Sequence, residues 1–135
     1  MRIAVLTISD DGSSNLDRFA KVAENEFSRG GNHVEIIKDA SPQLQYFDFI
    51  LLLTTPVGFP SKPSKKIREV LKNSGNLIGK RSMVVIFKKG FFLQSLLRNT
   101  MTEMEKEGLL VTMGERIANA EQLKAILSSA PLTRR

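Results

Sequence analysis

Ile3-Ala-Val-Leu-Thr-Ile-Ser-Asp-Asp-Gly-Ser-Ser-Asn15, IAVLTISDDGSSN, carries the decision about the fold. Its first six residues form an unbroken apolar, β-branched run. Such a run has no solvated face, so it reads as a strand buried on both sides. A turn with Gly12 and small hydroxyl residues follows, and then a helix. Over Asn15–Arg29 the apolar residues Leu16, Phe19, Ala20, Ala23 and Phe27 recur at helical spacing. Ser14 or Asn15 can cap its start and Gly30-Gly31 ends it.

The same alternation continues outward. A second strand is expected at His33–Lys38 and a third at Phe47–Thr55 (FDFILLLTT), the most hydrophobic of the chain. Asp39–Tyr46 is too short for an ordinary crossover of a dozen residues, so a clipped or irregular helix is expected there. Thr55–Pro60 reads as a loop and Ser61–Asn73 as a helix, with Pro63 near its first turn and Ile67, Val70 and Leu71 inward. A fourth strand is expected at Ser82–Phe87. A helix at Leu93–Glu107 would follow, with Leu96, Leu97, Met101 and Met104 on one face. Leu109–Met113 would be a short fifth strand, and Asn119 would cap a last helix with Gln122 in the capping-box position. Strands alternating with helices pair in parallel through right-handed crossovers. The expected architecture is a three-layer α/β/α sandwich around a five-stranded parallel sheet in the order 2-1-3-4-5. One domain is expected over residues 1–130, with residues 131–135 as a basic tail.

Composition narrows the chemistry. The 135 residues include no cysteine, which excludes disulfides, thiol catalysis and cysteine-bound metal clusters. The single His33 opens the second strand, remote from any crevice, and reads as structural or exposed. No apolar run is long enough to span a bilayer, and no secretory signal precedes the first strand, so a cytoplasmic protein without membrane contact is expected. Twenty Lys and Arg against fourteen Asp and Glu give a net charge of +6. These cations are dispersed and framed by no nucleic-acid motif, so no nucleic-acid partner is expected.

In an open parallel sheet, ligands occupy the crevice outside the carboxyl ends of the strands. That rule selects the loops 9–15, 54–59, 88–92 and 114–118. The first leads into a helix N-terminus, where free backbone N–H groups and the helix dipole favour an anion.

At these loops the chain resembles the flavodoxin-like family, of the flavodoxin or FMN-dependent reductase type. Ser9-x-Asp11-Gly12-x-Ser14 is similar to the phosphate loop of flavodoxins, Ser/Thr-x-Ser/Thr-Gly-x-Thr. Phe47-Asp48, the apolar strand and Thr55-Pro56-Val57-Gly58-Phe59 resemble the segment that ends in Ser/Thr-Pro-x-aromatic. Asp39-Ala-Ser-Pro42 and Gly79-Lys80 also echo such sequences. The resemblance implies bound FMN, serving electron transfer or flavin-dependent reduction as an oxidoreductase would. Ser9, Asp11, Gly12, Ser13, Ser14 and Asn15 would hold the phosphate. Thr55, Pro56, Val57, Gly58 and Phe59 would line one side of the flavin ring, and Lys89, Gly90 and Phe91 the other, with Phe59 and Phe91 or Phe92 as stackers. No side chain would act as a catalytic acid or base. A redox partner protein or NAD(P)H would complete the reaction, and a homodimer is open.

Two features depart from that pattern. Asp11 stands where a hydroxyl donor is expected, beside Asp10. A carboxylate about 4 Å from a phosphate charge costs about 1 kcal/mol in a watery setting and roughly 4 near a protein surface. A flavodoxin-fold binding or structural module that has lost the flavin is therefore the competing reading. Lys88-Lys89 would place positive charge beside the ring, stabilising its reduced, anionic form and favouring two-electron transfer. A response-regulator receiver shares the sheet order but needs an aspartate at the end of strand three, where Leu53-Thr54-Thr55 stands. The first strand also looks like that of molybdopterin-adenylylating proteins, whose Gly-Gly-Thr-Gly loop is missing here. If the phosphate lies on this loop, Asp11→Thr lowers the Kd for FMN several-fold in a fluorescence titration. An unchanged Kd would move the phosphate elsewhere.

Overall fold

A computed structural model describes residues 1–10 and 14–132, with only the backbone of Ser14. The elements alternate as β1 (Arg2–Ile8), α1 (Ser14–Arg29), β2 (His33–Ile37), a 3-10 turn (Pro42–Tyr46), β3 (Phe49–Thr54), α2 (Lys66–Lys72), β4 (Arg81–Phe87), α3 (Gln94–Lys106), β5 (Leu110–Ile117) and α4 (Ala120–Leu127). All strand pairs are parallel, in the order β2-β1-β3-β4-β5.

The three central strands are apolar on both faces, and their period-two alternation sorts them into two cores. Ile3 and Val5 of β1, Phe49, Leu51 and Leu53 of β3, and Met83 and Val85 of β4 meet Leu16, Phe19, Ala23 and Phe27 of α1 and Leu123 and Leu127 of α4. Ala4, Leu6, Ile8, Ile50, Leu52, Val84 and Ile86 turn the other way, onto Ile67 and Leu71 of α2 and Leu96 and Met104 of α3. Each fully buried Leu, Ile or Phe contributes roughly 1.5–3 kcal/mol of transfer free energy. Neither layer of helices is dispensable. The sandwich is as expected.

The short crossover between β2 and β3 is indeed clipped. Ser41 caps the 3-10 turn by accepting from Gln43 N–H at 3.3 Å, and its own N–H donates to Ser74 Oγ at 3.3 Å. The last helix starts as its capping box requires. Asn119 Oδ1 accepts from Gln122 N–H at 2.9 Å, and Gln122 Oε1 accepts from Ala118 N–H at 2.7 Å.

Two elements differ from expectation. α2 begins at Lys66 instead of Ser61. Pro60 and Pro63 hold the residues before them out of the helical region, and Val57 and Lys62 exchange two backbone hydrogen bonds of 2.8 Å that fold 57–62 back on itself. Strand β5 runs on to Ile117, through Gly114-Glu115-Arg116, where a loop was expected. A β-bulge opposite Ser82/Met83 absorbs Thr112. Gly114 is needed for close packing and makes no turn: a Cβ there would lie 2.9 Å from Met101 Sδ and 3.0 Å from Leu97 Cδ1 of α3. Gly114→Val should therefore cost about 1–3 kcal/mol by overpacking. Urea denaturation would show a lower midpoint at unchanged slope.

Candidate functional site

Parallel strands end together, so β1, β3 and β4 deliver their following loops to one edge of the sheet. There a shallow cleft of about 470 Å³ is lined by Asn15, Thr55, Pro56, Gly58, Ser61, Phe87, Lys88 and Lys89. Each lining residue has a local reason for its place. Asn15 stands in the first turn of α1, and its Oδ1 accepts from the Arg18 guanidinium at 3.2 Å. Thr55 and Pro56 follow β3 directly, and Gly58 takes a positive φ of 75°. Phe87 ends β4 with its ring edge on Phe19, centroids 4.9 Å apart. Lys88 follows, its N–H bonded to Ile117 O at 3.0 Å and its Nζ turned to Lys89 O at 3.4 Å.

Of the residues expected to form the site, Asn15, Thr55, Pro56, Gly58 and Lys89 come together here. Ser9 lines a neighbouring depression of about 270 Å³ with Thr7, Asp17, Lys38, Asp39 and Lys66, crossed by an Asp17–Lys38 ion pair at 3.0 Å. Val57 faces a third depression, with Lys62, Pro63, Ser64, Lys65, Arg68 and Glu103. Gly90 is exposed and lines none of these. Phe59 is fully exposed and Phe91 is 76% exposed, so neither plugs the cleft. Phe92 is half-buried beneath the Arg116 guanidinium, 5.5 Å from its ring centroid, and packs on the second core. Asp11, Gly12 and Ser13, and the side chain of Ser14, lie outside the described residues. Ser61 and Phe87 were not read as site residues. The signal for Ser61 was the Pro60/Pro63 pair that keeps it out of a helix, and Phe87 was assigned wholly to the core.

The electrostatics turn on Asp10. Its carboxylate accepts the hydroxyl of Ser64, a buried residue that does not line the cleft. Ser64 Oγ in turn accepts Lys66 N–H at 3.2 Å. One of the two adjacent acids is thus engaged by the segment leading into α2. His33 sits at the opposite end of the sheet, exposed, with Nε2 3.6 Å from Glu35. Among the described residues no cluster of His, Asp and Glu could hold a metal ion, and no helix is long and apolar enough to cross a membrane.

No protein-family model and no curated protein matches the chain. Solved structures do. The chain is similar to a flavodoxin from the domain Archaea (16% identity, TM-score 0.64, covering 96% of this chain and 92% of that one). It is also similar to oxidised Flavodoxin 2 from Bacillus cereus (14%, TM-score 0.69, 96% and 97%). A third likeness is two-electron reduced flavodoxin from Megasphaera elsdenii (16%, TM-score 0.64, 95% and 99%). The fold is flavodoxin-like, matched over nearly the whole length of both chains.

The Asp10–Ser64 contact makes a measurable claim. A hydrogen bond to a charged acceptor is worth about 1.5–3 kcal/mol when shielded, and the exposure of Asp10 reduces that to about 1. Asp10→Ala and Ser64→Ala should therefore couple by about 1 kcal/mol in a double-mutant cycle read by chemical denaturation. Strict additivity would show that water replaces the contact at no cost.

Proposed function

We propose that this protein binds FMN in the cleft between the β1, β3 and β4 loops and uses it for electron transfer or flavin-dependent reduction. The observation that carries the reading is the convergence of Asn15, Thr55, Pro56, Gly58 and Lys89 on one open cleft at the switch point of a flavodoxin-like sheet. The engagement of Asp10 by Ser64 supports it, since that carboxylate is occupied by a residue outside the cleft. The exposed rings of Phe59 and Phe91 stand on the two loops that would flank a planar ligand, where stacking contributes about 0.5–1.5 kcal/mol beyond buried area.

In this reading Asn15 and the loop before it, Gly12, Ser13 and Ser14, hold the phosphate, while the Asp11 carboxylate opposes it and Ser9 faces the neighbouring depression. Thr55, Pro56 and Gly58, with the ring of Phe59, support one side of the flavin, and Lys89 and Phe91 the other. Bound FMN supplies the redox chemistry. The chain's residues bind it, orient it and set the charge around it. Lys88 and Lys89 bring positive charge to the cleft wall, and that charge favours the reduced, anionic cofactor and transfer of electrons in pairs.

The test is direct. Added FMN should lose its fluorescence on binding, with a Kd in the micromolar range or below, and Phe59→Ala with Phe91→Ala should weaken binding several-fold. Unquenched fluorescence over micromolar additions would favour the competing reading, a flavodoxin-fold module without flavin. In the loaded protein, Lys89→Gln should lower the two-electron reduction potential by about 20–40 mV, equivalent to roughly 1–2 kcal/mol. Potentiometric titration reads both the midpoint and the number of electrons.

A further inference from the structure

Two of the loops at the mouth of the cleft, residues 55–65 and 88–93, hold four lysines and no carboxylate. Lys62, Lys65 and Lys89 are exposed and Lys88 is half-buried, and among the described residues none of the four is in an ion pair. Arg116 extends the strip, donating to Lys88 O at 3.3 Å. Of the described acids nearby, the Asp10 carboxylate accepts from Ser64, and Glu103, in the depression with Lys62 and Lys65, is bound by Arg68 at 2.8 Å and Lys106 at 3.8 Å. The same loops expose Phe59 completely, Phe91 to 76% and Leu93 to 46%.

These cations do not converge on one point. Lys62 and Lys65 face one depression, and Lys88 and Lys89 face the cleft. A small anion would leave half of them unused, so an extended anionic surface fits the arrangement better. Leu93, and the parts of Phe59 and Phe91 that a planar ligand would leave uncovered, also favour an apolar counter-surface, which a phosphate backbone lacks. Exposed aromatic anchors with a charged surround are the composition of a protein contact: the anchors supply affinity, and the charge supplies steering and register.

We propose that this rim docks a protein whose own contact face is acidic around an apolar centre. On the flavin-binding reading above, on which this assignment of role rests, that protein is the redox partner. The docking itself needs only the rim.

The probe is a small acidic [2Fe–2S] ferredoxin, with basic cytochrome c and a single-stranded oligonucleotide as counter-probes. Binding is followed by calorimetry on the chain with and without FMN. The ferredoxin should bind, and its Kd should rise at least tenfold between about 20 and about 300 mM salt, as the screening length falls below the spacing of the charges. The pair Lys62→Glu with Lys65→Glu, both outside the cleft lining, should weaken the ferredoxin at least tenfold and leave FMN affinity unchanged. The inference is overturned if the ferredoxin fails to bind or is indifferent to the pair. Cytochrome c or the oligonucleotide binding as tightly as the ferredoxin would overturn it equally. Salt-dependent docking by a chain that does not bind FMN would sustain the surface and sink the flavin reading. FMN binding without docking would do the reverse.

Discussion

The whole molecule depends on three strands that are oily on both sides. β1, β3 and β4 present apolar side chains alternately up and down, and all but Phe87 at the end of β4 are buried. A sheet of that kind cannot leave either face in water, so helices must cover both. The only way to deliver them between parallel neighbours is the right-handed crossover. The two cores follow from that requirement: α1 and α4 close one face, α2 and α3 the other.

Parallel pairing has a second consequence, which is functional. It gathers the loops that follow β1, β3 and β4 at one edge, whatever their sequences. Those loops have no packing duty at their tips and are free to carry chemistry. Here they carry an unusual mixture. The first brings two adjacent acids to a helix start, one of them held by Ser64. The other two bring lysines and exposed phenylalanines. Between them lies an open cleft that gathers Asn15, Thr55, Pro56, Gly58 and Lys89, with exposed lysines and phenylalanines on its rim. The core enforces the cleft, and the loop composition tunes it.

Much of this was legible in the chain. Continuous apolar runs at 3–8, 47–55 and 82–87 and the helical spacing of Leu16, Phe19, Ala23 and Phe27 led to the sheet order and its helical cover. The Asn119/Gln122 pair marked a helix start that the structure has. The misreadings share a cause. Gly114 looks like a turn residue because glycine so often is one, yet here its missing side chain makes room for Met101 and Leu97, residues distant in sequence. Ser61–Lys65 looked helical from its length and composition, but the backbone hydrogen bonds between Val57 and Lys62 take that segment away from the helix.

By itself the sequence determined the local and repeating features: which segments are strands or helices, which faces are apolar, and hence the layered sheet. These are set by neighbours along the chain and by burial, both readable one residue at a time. The tertiary structure decided which loop residues meet. Ser9, Val57 and Asn15 fall in three different depressions although they were read as one site, because a loop's direction depends on contacts its own residues do not make. It also decided the fate of Asp10, whose partner Ser64 lies fifty-four positions away. A contact at that separation leaves no periodicity to read, and only the closed sheet brings its two halves together.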